Sequence, residues 1–153
     1  MTRRQGRERS SEADGVTFEE ILVPTDLTER TVKALDFALR FAGGGRTRVT
    51  LLHVIETIPG LAFGELKPFY QKLEAKADAK MAALARGAAR GKVEAEVAYG
   101  PRAETIIKFA TARKADLIVL ASHRVNPSAV GRDWGTISYK VGLLAQCPVL
   151  LVK

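Results

Sequence analysis

The sequence contains a single cysteine, Cys147, so no disulfide can form within the chain, and a reducing compartment is the default expectation. Its two histidines, His53 and His123, lie far apart in the sequence and far from the cysteine, a spacing that matches no recognisable zinc site. No stretch approaches the roughly 18 consecutive apolar residues of a membrane-spanning helix. The arginines near the N-terminus precede no apolar segment of the kind found in secretory signals. We therefore expect a soluble, cytoplasmic protein.

Several motifs of catalysis and phosphate binding are also missing. The sequence has no G-x-x-x-x-G-K-[ST], no G-x-G-x-x-G and no G-x-S-x-G. Gly43-Gly44-Gly45 follows a predicted helix rather than a strand, so it is not a phosphate loop. No set of nucleophile, base and orienting group stands out, and no carboxylate pair is evident for metal-assisted phosphoryl transfer. The sequence therefore predicts no enzyme, with slow incidental ATP hydrolysis as the most that we expect.

What the sequence does contain is an ordinary globular composition and a surplus of positive charge. Its 153 residues fit one domain, with 46% hydrophobic and 27% charged residues. The 24 Lys and Arg exceed the 17 Asp and Glu, giving a net charge of +7 that favours acidic ligands. Residues 1–15 are polar, with four arginines against three acidic residues, and we predict a disordered tail before a domain over 16–153. A nucleic-acid-binding role rests on charge alone and is the weakest hypothesis.

Five short apolar segments alternate strictly with four amphipathic ones, which predicts an α/β fold. The predicted strands are Glu20–Thr25, Arg48–Ile55, Lys92–Tyr99, Leu117–Leu120 and Val149–Val152. Thr28 can cap a first helix with an apolar face of Val32, Leu35, Ala38, Leu39 and Ala42. A long second helix has the stripe Leu66, Phe69, Leu73, Ala77, Met81, Leu84 and Ala88; a third and a short fourth helix follow. Such alternation predicts a single doubly wound parallel sheet with helices on both faces.

The composition of the strands predicts their order. Strands one, two and four are nearly continuous apolar runs, as expected of strands covered on both faces. Strand three alternates apolar residues with Glu94 and Glu96, so one face meets water and the strand belongs at an edge. This favours the order 3-2-1-4-5, in which Val149–Val152 forms the other edge. That strand is too apolar to stay bare, so we predict a homodimer that pairs through it.

Ligands of doubly wound sheets bind beyond the carboxyl ends of the strands, where the strand order reverses. In this chain Pro24-Thr25-Asp26 and the 13-residue loop Ser122–Trp134 wall that crevice. The helix that starts near Gly135-Thr136 presents free N–H groups to an anion, and Thr136 could add a hydroxyl and Arg124 and Arg132 could add charge. Asp26 could accept hydrogen bonds from an adenine amino group or a ribose. The alternative interpretation is that neither residue binds a ligand: Thr136 would only cap its helix, and Asp26 would only begin the helix that follows strand one.

Several motifs in the expected order resemble the universal stress protein family. They are Ile21-Leu22-Val23-Pro24-Thr25-Asp26, Leu51-Leu52-His53-Val54, Asp116 to His123, Gly135-Thr136, and Cys147 to Val152. The match runs from Glu19 to Lys153, nearly the whole domain. The resemblance implies a cytoplasmic homodimer with this five-stranded sheet, whose last strands meet across the dimer axis.

The resemblance also implies a nucleotide site. In members of the family that bind ATP, adenine and ribose lie against the ends of strands one and two, which here points to Pro24, Thr25, Asp26 and Val54. The phosphates lie on a Gly-x-x-Gly, a spacer and Gly-Ser/Thr, of which this sequence keeps Gly135, Thr136 and Ile137. Ala121 and Arg124 occupy the positions of the first two glycines. By position, Leu120, Ser122 and His123 complete the candidate set.

The sequence therefore leads to one function hypothesis and two alternatives. The first is a small dimeric regulatory or stress-response protein that binds ATP, AMP or a related adenine nucleotide, with Mg²⁺ as a candidate companion. Ligand state would change the Ser122–Trp134 loop and so a surface for a protein partner. The second is a protein interaction module of the same fold that binds no nucleotide. The third is a hydrolase or nucleotidyl transferase that uses Asp26 and His123.

Overall fold

The computed structural model contains one five-stranded sheet. The structure describes residues 15–43, 45–88, 92–123, 128 and 136–153. The strands are β1 (Glu20–Thr25), β2 (Arg48–Ile55), β3 (Val93–Tyr99), β4 (Leu117–Ala121) and β5 (Val149–Val152). They are ordered β3-β2-β1-β4-β5, and every neighbouring pair is parallel. The predicted fold class and strand order are confirmed.

Among the described residues, two α-helices cover each face of the sheet. The helices are α1 (Arg30–Phe41), α2 (Lys67–Gly87), α3 (Arg102–Arg113) and α4 (Ile137–Leu144), with a short 3-10 helix over Phe63–Leu66. Alternate residues of β1 show the two layers, because Ile21 packs with the buried side chains of α1 and α2. Leu22 packs instead with those of α3 and α4. All six residues of β1 are buried, as expected for a central strand.

The apolar faces of α1 and α2 differ from the predicted ones at two positions. Val32 and Phe69 are about half exposed, at 52% and 50%, whereas Thr31 and Tyr70 are buried. Hydrogen bonds explain why polar side chains are tolerated there. The Thr31 hydroxyl bonds that of Thr25 at 2.7 Å, and the Tyr70 hydroxyl accepts the Ile58 backbone N–H at 3.0 Å. The predicted stripe was wrong at these positions because an amphipathic side chain can be buried when its polar atom is paired.

The start of α1 also differs from the prediction that Thr28 caps it. The N-cap residue is Glu29, and its side chain makes no capping hydrogen bond. The Thr28 hydroxyl instead donates to Asp26 Oδ1 at 2.5 Å. At α4 the prediction of a start near Thr136 is confirmed, since Thr136 is the N-cap and its hydroxyl accepts the Tyr139 N–H at 3.3 Å.

Both predicted edge strands lie at the edges of the sheet. The glutamate face of β3 is not bare, however, because Arg113 of α3 lies over it, 2.7 Å from Glu96 and 3.8 Å from Glu94. At the other edge, β5 pairs with β4 and leaves Leu151 38% exposed. Cys147, just before β5, is half-buried, and burial together with the charge of Asp116 raises its pKa.

Candidate functional site

A cavity of about 210 Å³ opens at the carboxyl ends of the strands, where the strand order reverses. The strands β1 and β4 are parallel neighbours, paired near their first residues with Ile21 opposite Leu117 and Leu22 opposite Ile118, and the cavity lies beyond their other ends. Eight of the residues predicted for the site line this cavity. They are Pro24, Thr25, Asp26, Val54, Leu120, His123, Thr136 and Ile137.

The inner part of the cavity is apolar. Leu52 and Val54 of β2, Leu120 of β4 and Ile106 of α3 all line it, and each is at most 5% exposed. These side chains belong to the hydrophobic core on the α3 and α4 side of the sheet. A flat apolar group such as a nucleobase could pack on such a surface, whereas a small hydrated ion would gain nothing from it.

Asp26 provides a carboxylate at the mouth of the cavity. Its Oδ1 accepts the backbone N–H of Thr28 at 3.0 Å as well as the Thr28 hydroxyl, and its Oδ2 lies 3.4 Å from Arg30. Partial burial raises the pKa of Asp26, but the hydrogen bonds from Thr28 and the charge of Arg30 outweigh burial and leave that pKa below its ordinary value. Asp26 is therefore ionised at neutral pH and acts as a fixed acceptor.

A network of hydrogen bonds fixes the turn between β1 and α1. Thr25 Oγ1 accepts the Leu27 N–H at 2.9 Å, and the backbone oxygen of Thr25 lies 3.0 Å from His53 Nδ1. Leu27 has φ of 64°, in the left-handed region that costs a branched side chain free energy. His53 is half-buried, and its hydrogen bond with Thr25 satisfies one nitrogen of its ring. The turn therefore holds Asp26 in a defined position.

Two arginines that were not among the predicted site residues also line the cavity. Arg30 is the first residue of α1, and Arg102 is the first residue of α3. Their partners are carboxylates, Asp26 for Arg30 at 3.4 Å and Glu56 for Arg102 at 3.0 Å. One signal could have identified them, because the first residue of a helix that follows a strand of a parallel sheet lies at the carboxyl edge of that sheet.

The remaining predicted residues do not belong to the described lining. Ser122 is buried, and its hydroxyl oxygen lies 3.2 Å from Lys153 Nζ, which also donates to the backbone oxygen of His123 at 3.0 Å. Ser122 thus connects β4 to the residue that follows β5. Arg124 and Gly135 lie outside the described residues. Ser138 and Ala121, which were not selected for the site, do line the cavity.

The family assignment comes from comparison with known proteins. The model of the universal stress protein family matches residues 17–153. The chain belongs to this family. It is 33% identical to a universal stress protein of Thermus aquaticus, encoded in the QAH/OAS sulfhydrylase 3′ region, with 89% of this chain and 99% of the relative covered. It is 29% identical to universal stress protein YxiE of Bacillus subtilis, with the same coverage of both chains.

Solved structures of the family show the same fold. Universal stress protein UspA from Lactobacillus plantarum superposes with a TM-score of 0.71 at 24% identity, covering 90% of this chain and 99% of the other. A universal stress protein in complex with cAMP gives 0.66 at 19% identity, covering 90% and 99%. The Archaeoglobus fulgidus universal stress protein in complex with dAMP gives 0.57 at 19% identity, covering 90% and 100%.

Within the described residues, no group of three or more His, Cys, Asp and Glu side chains is arranged to hold a metal ion. Among the helices of those same residues, none combines the length and apolar character needed to cross a membrane. Asp26 is the one acidic residue among the described lining of the cavity.

Proposed function

We propose that this universal stress protein is a cytoplasmic regulatory protein that binds an adenine nucleotide in the cavity over β1 and β4. The observation that carries the proposal is the coincidence of that cavity with the reversal of strand order, where doubly wound sheets bind their ligands. Eight residues expected at a nucleotide site from sequence line it. Two related folds whose structures are described as complexes with cAMP and dAMP support an adenine nucleotide as the ligand class.

The chemistry of the lining fits the parts of a nucleotide. The apolar surface of Leu52, Val54 and Leu120 suits a base, and ionised Asp26 can accept from an amino group or a ribose hydroxyl. Thr136 caps α4, whose first N–H groups and helix dipole favour a phosphate. A companion Mg²⁺ would take most of its oxygen ligands from phosphate and water, because Asp26 is the single carboxylate of the described lining.

Binding without catalysis is the activity that we propose. An enzyme would require Asp26 or His123 to move a proton, and Asp26 already accepts two hydrogen bonds from Thr28 and faces Arg30. A phosphate-release assay with ATP tests this part, comparing the native chain with Asp26→Asn. Turnover that the substitution abolishes would contradict the proposal, and turnover at the uncatalysed rate would support it.

The proposed assembly is a homodimer through β5. Val149–Val152 is a strand at the edge of the sheet, and Leu151 exposes an apolar side chain there. Unpaired backbone groups along an apolar edge favour pairing with a second strand. A second copy of the same strand can supply that pairing around a two-fold axis.

Nucleotide binding is best tested by NMR titration of the ¹⁵N-labelled full chain with AMP, ATP and cAMP. We expect shifts at the amides of Thr25, Asp26, Val54 and Leu120, with resonances on β3 unmoved. Ser138→Phe places a ring at the α4 side of the cavity and should abolish the shifts. Thr111→Phe, the same kind of change at an exposed position of α3, should leave them intact. A native chain that shows no shifts at millimolar nucleotide would refute the proposal.

A second candidate function is a protein interaction module that binds no nucleotide. Three exposed apolar side chains on α4 favour it, namely Tyr139, Leu143 and Leu144, of which Leu143 is 67% exposed. An apolar surface of this kind is typical of a contact site for another protein. The same titration separates the two functions, since an interaction module would show no response to any of the three nucleotides.

A further inference from the structure

We infer that Arg30 and Arg102 form an arginine clamp that holds the phosphate of a nucleoside monophosphate unit in the cavity. This inference rests on the proposed function and specifies which part of the ligand this chain recognises through side chains. Both arginines line the cavity. They reach it from helices on opposite faces of the sheet, Arg30 from α1 and Arg102 from α3. A ligand seated between the two layers would therefore have one arginine on each side.

The helices that carry the clamp add to its preference for an anion. Each arginine is the first residue of its helix, where backbone N–H groups lack partners within the helix. The positive ends of both helix dipoles are therefore near the guanidinium groups. A guanidinium group offers a planar set of donors that fits two oxygens of one phosphate. The guanidinium groups, the free N–H groups and the helix dipoles all favour an anion in the same cavity, beside the apolar surface on which a base would pack.

The sequence gives a reason why side chains should hold the phosphate in this chain. Ala121 lies where the resemblance expects the first glycine of the phosphate signature, and it lines the cavity. Its methyl group keeps a phosphate farther from the backbone than a glycine would. Donors that approach from Arg30 and Arg102 do not require that close approach. The two arginines therefore supply from their side chains the hydrogen-bond donors that the backbone at Ala121 offers to a phosphate less readily.

Each arginine is held by a carboxylate that an incoming phosphate must displace. Arg102 lies 3.0 Å from Glu56, and Arg30 lies 3.4 Å from Asp26. The side chains of Arg102 and Glu56 are 41% and 55% exposed, so their ion pair is weak and can exchange partners at low cost. Glu56 is not part of the described lining of the cavity. Removing its charge should therefore strengthen phosphate binding without removing a ligand contact.

The test compares AMP with adenosine, which differ by the phosphate alone. Dissociation constants come from NMR titrations of the full chain, followed at the amides of Val54 and Leu120. The native protein should bind AMP about tenfold more tightly than adenosine, a difference of about 1.4 kcal/mol. Arg102→Gln and Arg30→Gln should each remove most of that ratio, and Arg102→Gln, which leaves the ion pair of Asp26 with Arg30 intact, should not change adenosine binding. Glu56→Gln should raise the ratio two- to threefold, roughly the effect of losing one exposed competing charge.

Matched variants control for net charge and for folding. Arg113→Gln removes the same charge from the same helix as Arg102→Gln, but Arg113 pairs with Glu94 and Glu96 of β3, away from the cavity. Glu96→Gln removes the partner of that arginine, as Glu56→Gln does for Arg102. Neither control should change the ratio of AMP to adenosine affinity. Preserved dispersion in the NMR spectrum shows that each variant is folded.

Three results separate the clamp from the function on which it rests. Opposite shifts of the affinity ratio in Arg102→Gln and Glu56→Gln, with both controls unchanged, would establish the clamp. AMP and adenosine binding that the arginine variants leave unaltered would overturn the clamp and keep the nucleotide site. A native chain that binds neither compound would overturn the proposed function, and the clamp with it.

Discussion

Asp116 should contribute measurably to the stability of this fold, because it joins the start of β1 to the start of β4. Its two carboxylate oxygens accept the backbone N–H groups of Glu19 at 2.7 Å and of Glu20 at 3.1 Å. Its own N–H donates to the backbone oxygen of Glu20 at 3.0 Å. The carboxylate therefore satisfies two donors just where the central strands begin.

Asp116→Ala leaves both donors without their acceptor. A hydrogen bond to a charged group contributes about 1.5–3 kcal/mol to stability, and the one from Glu19 is exposed and therefore worth less. We expect the free energy of unfolding to fall by about 2 kcal/mol, and by about half as much in Asp116→Asn, whose amide oxygen can still accept one bond.

Urea unfolding followed by circular dichroism measures the loss. With a typical slope of 1–3 kcal/mol per molar urea, the midpoint should fall by about 1 M while the slope stays unchanged. Asp78→Ala, an exposed position on α2, is the control and should change stability by less than about 0.5 kcal/mol. A loss in Asp116→Ala no larger than that of the control would refute the claim that this carboxylate holds the two strands together.

Two further predictions concern the edge strand and a tyrosine. Native mass spectrometry should show the proposed dimer for the native chain and a folded monomer for Leu151→Lys, because Leu151 is exposed on β5; a variant that stays dimeric would place the interface elsewhere. Burial and the hydrogen-bonded carboxylate of Glu74 raise the pKa of Tyr99 to about 12. Since that pKa exceeds the value of 10.0 for a free tyrosine, the stability contribution is complete below pH 10 and is lost as pH rises towards 12. Ultraviolet titration should show a late phase that Tyr99→Phe removes, and a single phase near pH 10 in the native protein would contradict the shift.

The sheet could be predicted from the sequence because its signals are local and strong. An uninterrupted apolar run such as Ile21-Leu22-Val23 is stable only when helices cover both of its faces. The charged residues Glu94 and Glu96 identify β3 as an edge strand for the converse reason. The order of the strands then follows, because strands that are apolar on both faces take central positions and a strand with one charged face takes an edge.

The faces of the helices were harder to predict because burial of polar groups depends on distant partners. Thr31 is buried through the hydroxyl of Thr25, and Tyr70 through the backbone of Ile58. Neither partner is marked by any periodicity in the sequence. A hydrophobic pattern therefore predicts the helix and most of its buried face, but it selects Val32 and Phe69 where the neighbouring residue is the buried one.

In the candidate site, too, the sequence predicted the residues at strand ends but not those at helix starts. Sequence identified Pro24, Thr25 and Asp26 because they end a strand at the reversal point. It missed Arg30 and Arg102, since an arginine at the start of a helix has the same local pattern as any solvated residue. The packing of α1 and α3 onto opposite faces of the sheet brings both arginines to one cavity.

The charged residues around the cavity can therefore differ between proteins of this fold while the structure of the sheet stays the same. Every residue of β1 is buried, so a change there would cost core packing. Arg30, Arg102 and Glu56 have partly exposed side chains in weak ion pairs, so replacing them alters the charge around the cavity at little cost in stability. A family member with glycine at the position of Ala121 and no arginines at the two helix starts would bind phosphate through its backbone. This chain has the opposite combination, which is why the arginine variants are the most direct test of the proposed phosphate site.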